Sequence, residues 1–314
     1  MSDEEDDDIG LKPGVVVESS KAKYVIIKLL GEGGFGAVYK VHDVNNKEKC
    51  FAMKVERKIE TRKHSKLKME IMILKLVSQE RKQSHFTSIA DRGKKDKEGY
   101  FFLVMELVGK SLADLKAMRP DKVFSISTGL GVSQQCLEAC EDLHKYGFIH
   151  RDLKPANYAC GLADKKHVIY ILDFGIARKI LNDKNELKTP RATVRFKGTV
   201  RFASLACHKS TEMGPKDDCE SWLYLLLDLT VVTGLPWRKL VEKNDVLTVK
   251  EECRKERREQ LFNGLKCTQE LGKILDYIDK LQYQDHVDYA FIYKLLDEAC
   301  TNSGGTINQP YDWE

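Results

Sequence analysis

The chain lacks a CxxC pair among its nine cysteines and lacks an apolar run long enough to cross a bilayer, and no secretory leader is expected. An odd cysteine count without regular spacing excludes a disulfide framework and points to reduced thiols in an intracellular setting. The longest apolar stretch, Trp222 to Val232, is about half a membrane span and contains Asp228, so it reads as a buried helix. Neither sign of charge dominates. Lys and Arg number 52 against 48 Asp and Glu, and the net +4 is too small to make nucleic acid the default partner. Internal repeats and low-complexity segments are absent after residue 9. What remains is a chain of 314 residues, 42% hydrophobic, able to bury the core of one large domain or two lobes.

Taken in order, Ser2 to Asp8 are almost wholly acidic, with nothing apolar to bury, and residues 1–23 are expected to form an unstructured tail. The alternative for that tail is a tethered anion visiting a basic cleft. Tyr24 to Leu30 and Ala37 to His42 have strand composition and flank Gly31-Glu32-Gly33-Gly34-Phe35-Gly36, a hairpin tip where missing side chains let backbone amides approach phosphate oxygens and Phe35 can cap the site. A dinucleotide turn would open a helix at this point, whereas here a strand continues through Val38. Phe51 to Val55 predicts a third strand bearing Lys54. Leu67, Ile71, Leu74 and Val77 recur at helical spacing and carry Glu70, with Glu60 as a competing partner for the lysine. Phe86 to Arg92 and Tyr100 to Leu107 read as a strand pair across the charged turn Gly93 to Gly99. After Gly109 the pattern becomes helical, around 112–118, 127–146, 222–232, 271–281 and 289–300, with short strands at 158–160 and 168–172. The charged stretch Lys250 to Arg258 reads as a solvated helix face.

The chemistry concentrates in His150-Arg151-Asp152-Leu153-Lys154-Pro155-Ala156-Asn157 and Asp173-Phe174-Gly175. Phosphoryl transfer needs a carboxylate near the attacking hydroxyl, oxygen ligands for magnesium and positive charge on the moving phosphate. Asp152, Asn157 with Asp173, and Lys154 supply these in turn.

In these residues the chain resembles the eukaryotic protein kinases. The resemblance implies an α+β bilobal fold: a small antiparallel-sheet lobe over about 24–106, a hinge at 106–109 and a larger helical lobe over about 110–314. It implies ATP and Mg2+ as cofactors, with Asp152, Lys154 and Asn157 catalytic and Asn157 and Asp173 on the metal. It places Leu30, Gly31, Glu32, Gly33, Gly34, Phe35, Gly36, Ala37, Val38, Ala52, Lys54, Glu70, Met105, Glu106 and Val108 around ATP, with Glu70 aiming Lys54 at the phosphates and Met105 behind the adenine. A lysine two residues after the aspartate, then proline, is more similar to serine/threonine than to tyrosine kinases.

Gly198-Thr199-Val200-Arg201-Phe202-Ala203-Ser204-Leu205-Ala206 stands where most kinases carry Ala-Pro-Glu, and this resembles the casein kinase 1 group. Lys68-Met69-Glu70, Leu112-Ala113-Asp114-Leu115, Leu235-Pro236-Trp237-Arg238-Lys239 and the closing Tyr311-Asp312-Trp313-Glu314 look most like the tau tubulin kinases. By that resemblance Arg201 binds an anion and Asp218 anchors the catalytic loop, while Ala206 departs from the usual asparagine. Residues 178–201 hold eight basic side chains against two acidic ones. Arg178, Arg195, Lys197 and Arg201 are therefore expected to recognise acidic or prephosphorylated substrates. Thr189, Thr193 and Thr199 are candidate phosphosites. The expected partners are proteins with Ser or Thr acceptors, not nucleic acid or membrane, for a monomer in the cytoplasm with access to the nucleus. The rival readings are a kinase-fold scaffold and a small-molecule phosphotransferase.

Overall fold

The computed structural model describes residues 9–33, 36–59 and 65–314. Gly34, Phe35, the competing Glu60 and the acidic stretch 2–8 lie outside the described residues. The chain divides into two compact units, the first ending at Val108 and the second beginning at Gly109.

The first unit is an antiparallel six-stranded sheet in the order β1-β2-β3-β4-β6-β5. Its strands are β1 (Val16–Glu18), β2 (Lys23–Gly33), β3 (Gly36–Asp43), β4 (Asn46–Arg57), β5 (Ile89–Lys95) and β6 (Tyr100–Glu106), with one helix, α1 (Lys66–Val77). Alternation sorts the faces: along β3, Ala37, Tyr39 and Val41 are buried while their neighbours are partly exposed. They join Val17, Ile26, Met53, Val55 and Phe102 in one apolar cluster. Gly36 has φ +137°, and a Cβ there would stand 1.8 Å from the Val55 carbonyl oxygen. Only glycine lets β3 begin so close to β4.

Two expectations fail in this unit. Residues 16–18 are not part of an unstructured tail: β1 pairs with β2, Val17 opposite Tyr24, and Val17 is buried. The intervening turn is closed by Ser19, whose Oγ accepts from the Lys21 and Ala22 amides at 3.0 Å, and Val17 supplies the burial that the acidic residues before it cannot. The strand expected over 86–92 is shifted to Ile89–Lys95. Lys95 pairs with Tyr100, and the Gly99 amide donates to the Lys95 carbonyl at 2.8 Å, so the turn is Asp96 to Gly99. Lys94 is accommodated because it points out of an alternating strand.

The second unit is mostly helical: α2 (Leu112–Ala117), α3 (Ile126–Lys145), α4 (Leu205–His208), α5 (Pro215–Thr230), α6 (Lys243–Glu252), α7 (Arg258–Leu261), α8 (Thr268–Lys280) and α9 (Tyr289–Asn302). Two small ladders complete it, β7 (Phe148–Ile149) with β10 (Arg178–Lys179) and β8 (Tyr158–Cys160) with β9 (Ile169–Ile171). The expected α+β composition is thus observed. Pro215 opens α5 where a missing amide costs nothing, and the Asp217 carboxylate accepts the Gly214 amide at 2.8 Å. From Asp217 to Thr230 every residue of α5 is buried, and Trp222 donates to the Ser133 carbonyl of α3 at 2.7 Å. Among the described residues no helix is long and apolar enough to cross a membrane.

The charged run 250–258 is the third correction. The helix stops at Glu252 instead of continuing, and Lys250 is 0% exposed. The side chain of Arg254 is also largely enclosed, lying 3.5 Å from Glu220 and 3.2 Å from Asp279.

Candidate active site

In the second unit, β7 delivers the chain to His150, whose ring is wholly buried. Its Nδ1 accepts the Asp152 amide at 3.1 Å, and its Nε2 donates to the Leu172 carbonyl at 2.9 Å, which assigns the proton to Nε2. The next residue, Arg151, has φ +72°, a left-handed conformation that disfavours a side chain. Asp218 compensates: Oδ2 accepts the His150 amide at 2.8 Å and Oδ1 the Arg151 amide at 2.9 Å, and His144 Nε2 donates to the same carboxylate at 2.7 Å. Burial opposes the Asp218 charge, yet these donors outweigh it and hold its pKa below the usual value.

The bend aims Asp152 at Thr199. The Thr199 hydroxyl donates to Asp152 Oδ1 at 2.8 Å and accepts from Lys154 Nζ at 2.8 Å, while Lys154 Nζ lies 3.7 Å from Asp152 Oδ2. Gly198, at φ +116°, makes this approach possible, because a Cβ there would meet the Arg151 carbonyl oxygen at 2.6 Å. Thr199 was expected only as a phosphosite; the signal in the sequence was a glycine placed just before a hydroxyl residue.

Asn157 donates its Nδ2 to the Asp152 carbonyl at 2.8 Å, which turns its amide oxygen the other way. The Leu172 amide donates to the Asn157 carbonyl at 2.8 Å, extending the β8–β9 ladder and setting Asp173 one residue beyond it. Asp173 has φ +59°, accepts the Gly175 amide at 3.0 Å and is exposed, while Phe174 is buried edge-on to His150 at 5.6 Å between ring centroids. Two hard oxygen donors of this kind suit magnesium, which takes one or two protein carboxylates or amides and completes its shell with phosphate and water.

In the first unit, Lys54 and Glu70 form an ion pair at 2.6 Å, with the Glu70 side chain only 5% exposed. Sequence reasoning missed the residue that holds this helix in place. Glu56, buried two positions after Lys54, accepts the Lys66 and Leu67 amides at 3.2 and 2.6 Å and the Ser65 hydroxyl at 3.1 Å, and so takes up donors at the N-terminus of α1. Glu56→Ala should destabilise α1 by about 1–3 kcal/mol and release protection of the Lys66 and Leu67 amides in hydrogen exchange. Unchanged protection would show that packing alone holds the helix.

Of the other nucleotide candidates, Ala52 and Met105 are cross-strand partners and both buried. Leu30, Gly31, Glu32 and Gly33 lie on the exposed end of β2, followed across the hairpin by buried Ala37 and half-buried Val38. The Glu106 amide donates to the Ser88 carbonyl at 2.9 Å, and Val108 is half-buried.

The anion candidates separate. Arg195 and Lys197 are exposed. Arg178 instead faces Glu212 at 3.7 Å, and Glu212 is gripped by Arg191 through Nε at 2.8 Å and Nη2 at 3.0 Å. The Arg191 bonds pull the Glu212 pKa down to about 2. Arg178 is therefore turned toward an internal carboxylate. Arg201 donates from Nη2 to the Arg238 carbonyl at 3.2 Å. Burial, with Arg178 and Arg191 nearby, lowers the Arg151 pKa to about 10.

Residues 24–280 match the protein kinase domain. The chain belongs to the protein kinase family. Similar proteins include a Dictyostelium discoideum protein named a probable serine/threonine-protein kinase, 31% identical over 98% of this chain and 59% of its own length. Serine/threonine-protein kinase spe-6 of Caenorhabditis elegans is 32% identical over 100% of this chain and 82% of its own. A second C. elegans protein, provisionally named a casein kinase I, is 31% identical over 93% of this chain and 83% of its own. The kinase thus spans about three fifths of the Dictyostelium protein's length and about four fifths of the two nematode ones. Kinases of this family use ATP and a divalent metal.

Proposed function

We propose that this kinase is active, transfers the γ-phosphate of MgATP to serine or threonine hydroxyls of proteins, and belongs to the casein kinase 1 group with greatest likeness to tau tubulin kinases. The observation that carries the reading is the Asp152–Thr199–Lys154 network, which keeps a carboxylate and an ammonium adjacent and in fixed register. Asp152 orients the acceptor hydroxyl and takes its proton, and Lys154 neutralises charge as it builds on the transferred group. Lys54, held by Glu70, binds the α and β phosphates, and the glycine hairpin covers them. Asn157 and Asp173 would hold magnesium, which when bound would supply positive charge against the phosphates.

The casein kinase I name of one relative supports the group assignment, and the tau tubulin kinase likeness rests on the Leu235-to-Lys239 and Tyr311-to-Glu314 motifs. Exposed Arg195 and Lys197 favour acidic or prephosphorylated acceptors. The nine unpaired cysteines suit a reducing compartment such as the cytoplasm. A scaffold role is the weaker reading because the chain retains Lys54, Asp152, Asn157 and Asp173.

Radiolabelled ATP offered with casein, an acidic serine peptide, its prephosphorylated form and a small alcohol tests the reading. Label should enter the protein and peptides, most strongly the two with negative charge. Nucleotide binding without any transfer would establish the scaffold instead, and label in the alcohol alone a small-molecule phosphotransferase.

A further inference from the structure

The segment Thr199 to Leu205 begins at the hydroxyl that holds Asp152, so its position sets where an acceptor peptide lies against that carboxylate. It has no Ala-Pro-Glu to fasten it. Several of its backbone groups are nevertheless held. The Phe202 and Ala203 amides donate to the Thr199 carbonyl at 3.0 Å, Trp237 Nε1 donates to the Arg201 carbonyl at 2.7 Å, and the Leu205 amide donates to Glu220 at 2.7 Å. Two more carbonyls of the turn, Val200 and Ala203, both accept from Lys250 Nζ, at 2.8 and 2.6 Å.

A lysine with no exposed surface is a costly way to hold a loop unless every proton is used. Here two reach those carbonyls, His208 Nε2 lies 3.0 Å from Nζ, and the ammonium lies over the rings of Tyr224 at 5.0 Å and Trp237 at 5.2 Å. Glu220, which holds Leu205, also accepts the Tyr224 hydroxyl at 2.8 Å and lies 3.5 Å from Arg254. Burial pushes the Lys250 pKa down against the pull of Glu220. A residue whose only duty was to fill the interior of α6 would be apolar; this one spends two of its three donors on one turn of the substrate-side segment.

We propose that Lys250 is the positioning residue of this kinase's substrate loop, clamping the Val200 and Ala203 carbonyls so that Thr199 and Asp152 meet the acceptor peptide in fixed geometry. The inference rests on the kinase reading above. It predicts that the loss of Lys250 is felt by the peptide and not by the nucleotide.

Wild type, Lys250→Met and Trp237→Phe are compared by steady-state kinetics with peptide and ATP varied separately, and by hydrogen exchange at the Phe202 and Ala203 amides. Lys250→Met should raise the peptide KM by about tenfold or more, the weight of one lost charged bond, with the ATP KM within about twofold. Protection of those two amides should fall while α5 stays protected. Trp237→Phe, which removes the neighbouring donor, should move the same quantities less far, and it carries the test if Lys250→Met does not fold. Equal changes in both KM values, or no change in peptide KM and exchange, would overturn the proposal. If wild type transfers no phosphate, the functional reading fails, and exchange alone decides the clamp: unchanged protection in Lys250→Met refutes it.

Discussion

Asp152→Asn is expected to slow phosphate transfer by about 10²–10⁴-fold while the protein remains folded. The side chain has two jobs that the substitution separates. As an acceptor for the Thr199 hydroxyl at 2.8 Å, the Asn oxygen can replace Oδ1, and the Asp152 carbonyl still receives the Asn157 amide. As a base, and as the negative partner of Lys154 at 3.7 Å, it has no substitute. The ion pair is partly open to water, so its loss should cost no more than about 1 kcal/mol of stability. The melting curve should therefore stay near wild type while label incorporation collapses. Turnover near wild type in purified Asp152→Asn would remove this residue from the chemistry. A collapse in stability would instead show that the measured loss reports unfolding.

That separation explains what was and was not legible in the sequence. Asp152, Lys154 and Asn157 lie within one short stretch whose spacing fixes their relations, and Lys54 and Glu70 are matched by a strand and a helix that announce themselves through composition. Thr199 acquires its role only when residue 199 folds back on residue 152, and no local periodicity encodes that contact. Glu56 is similar: on an alternating strand it reads as an ordinary polar residue until the N-terminus of α1 arrives over it. Lys250 is the sharpest case. A run of charges is ordinarily a solvated face, and here the enclosing rings come from positions 224 and 237, distant in sequence. Arg178 shows the complementary effect: local charge density marks it as a loop cation, and the tertiary fold sets it beside Glu212 at 3.7 Å. The strand at Val16–Glu18 is hidden by averaging over the acidic residues before it, although the single inward residue Val17 supplies the burial that matters.

The larger effect on stability belongs to Asp218→Ala. Three donors converge on this carboxylate in a dry interior: the His150 and Arg151 amides and His144 Nε2, at 2.7 to 2.9 Å. Two of them hold Arg151 in the left-handed region, a conformation that costs roughly 1–2 kcal/mol by itself. Alanine leaves the donors without their acceptor, and even with some relaxation the loss should be about 3 kcal/mol or more. For a unit of this size that corresponds to a fall in Tm of roughly 6–12 °C. Activity should fall further than stability, since the residue after Arg151 is Asp152 and a relaxed Arg151 no longer aims it at Thr199. Asp218→Asn retains one acceptor oxygen and should lie between, whereas a role limited to filling space would make Asn equal to wild type. Calorimetry of the three proteins with parallel turnover measurements checks this ordering. A wild-type Tm and rate in Asp218→Ala would mean that Arg151 keeps its backbone conformation unaided and that the aspartate does not position the catalytic loop.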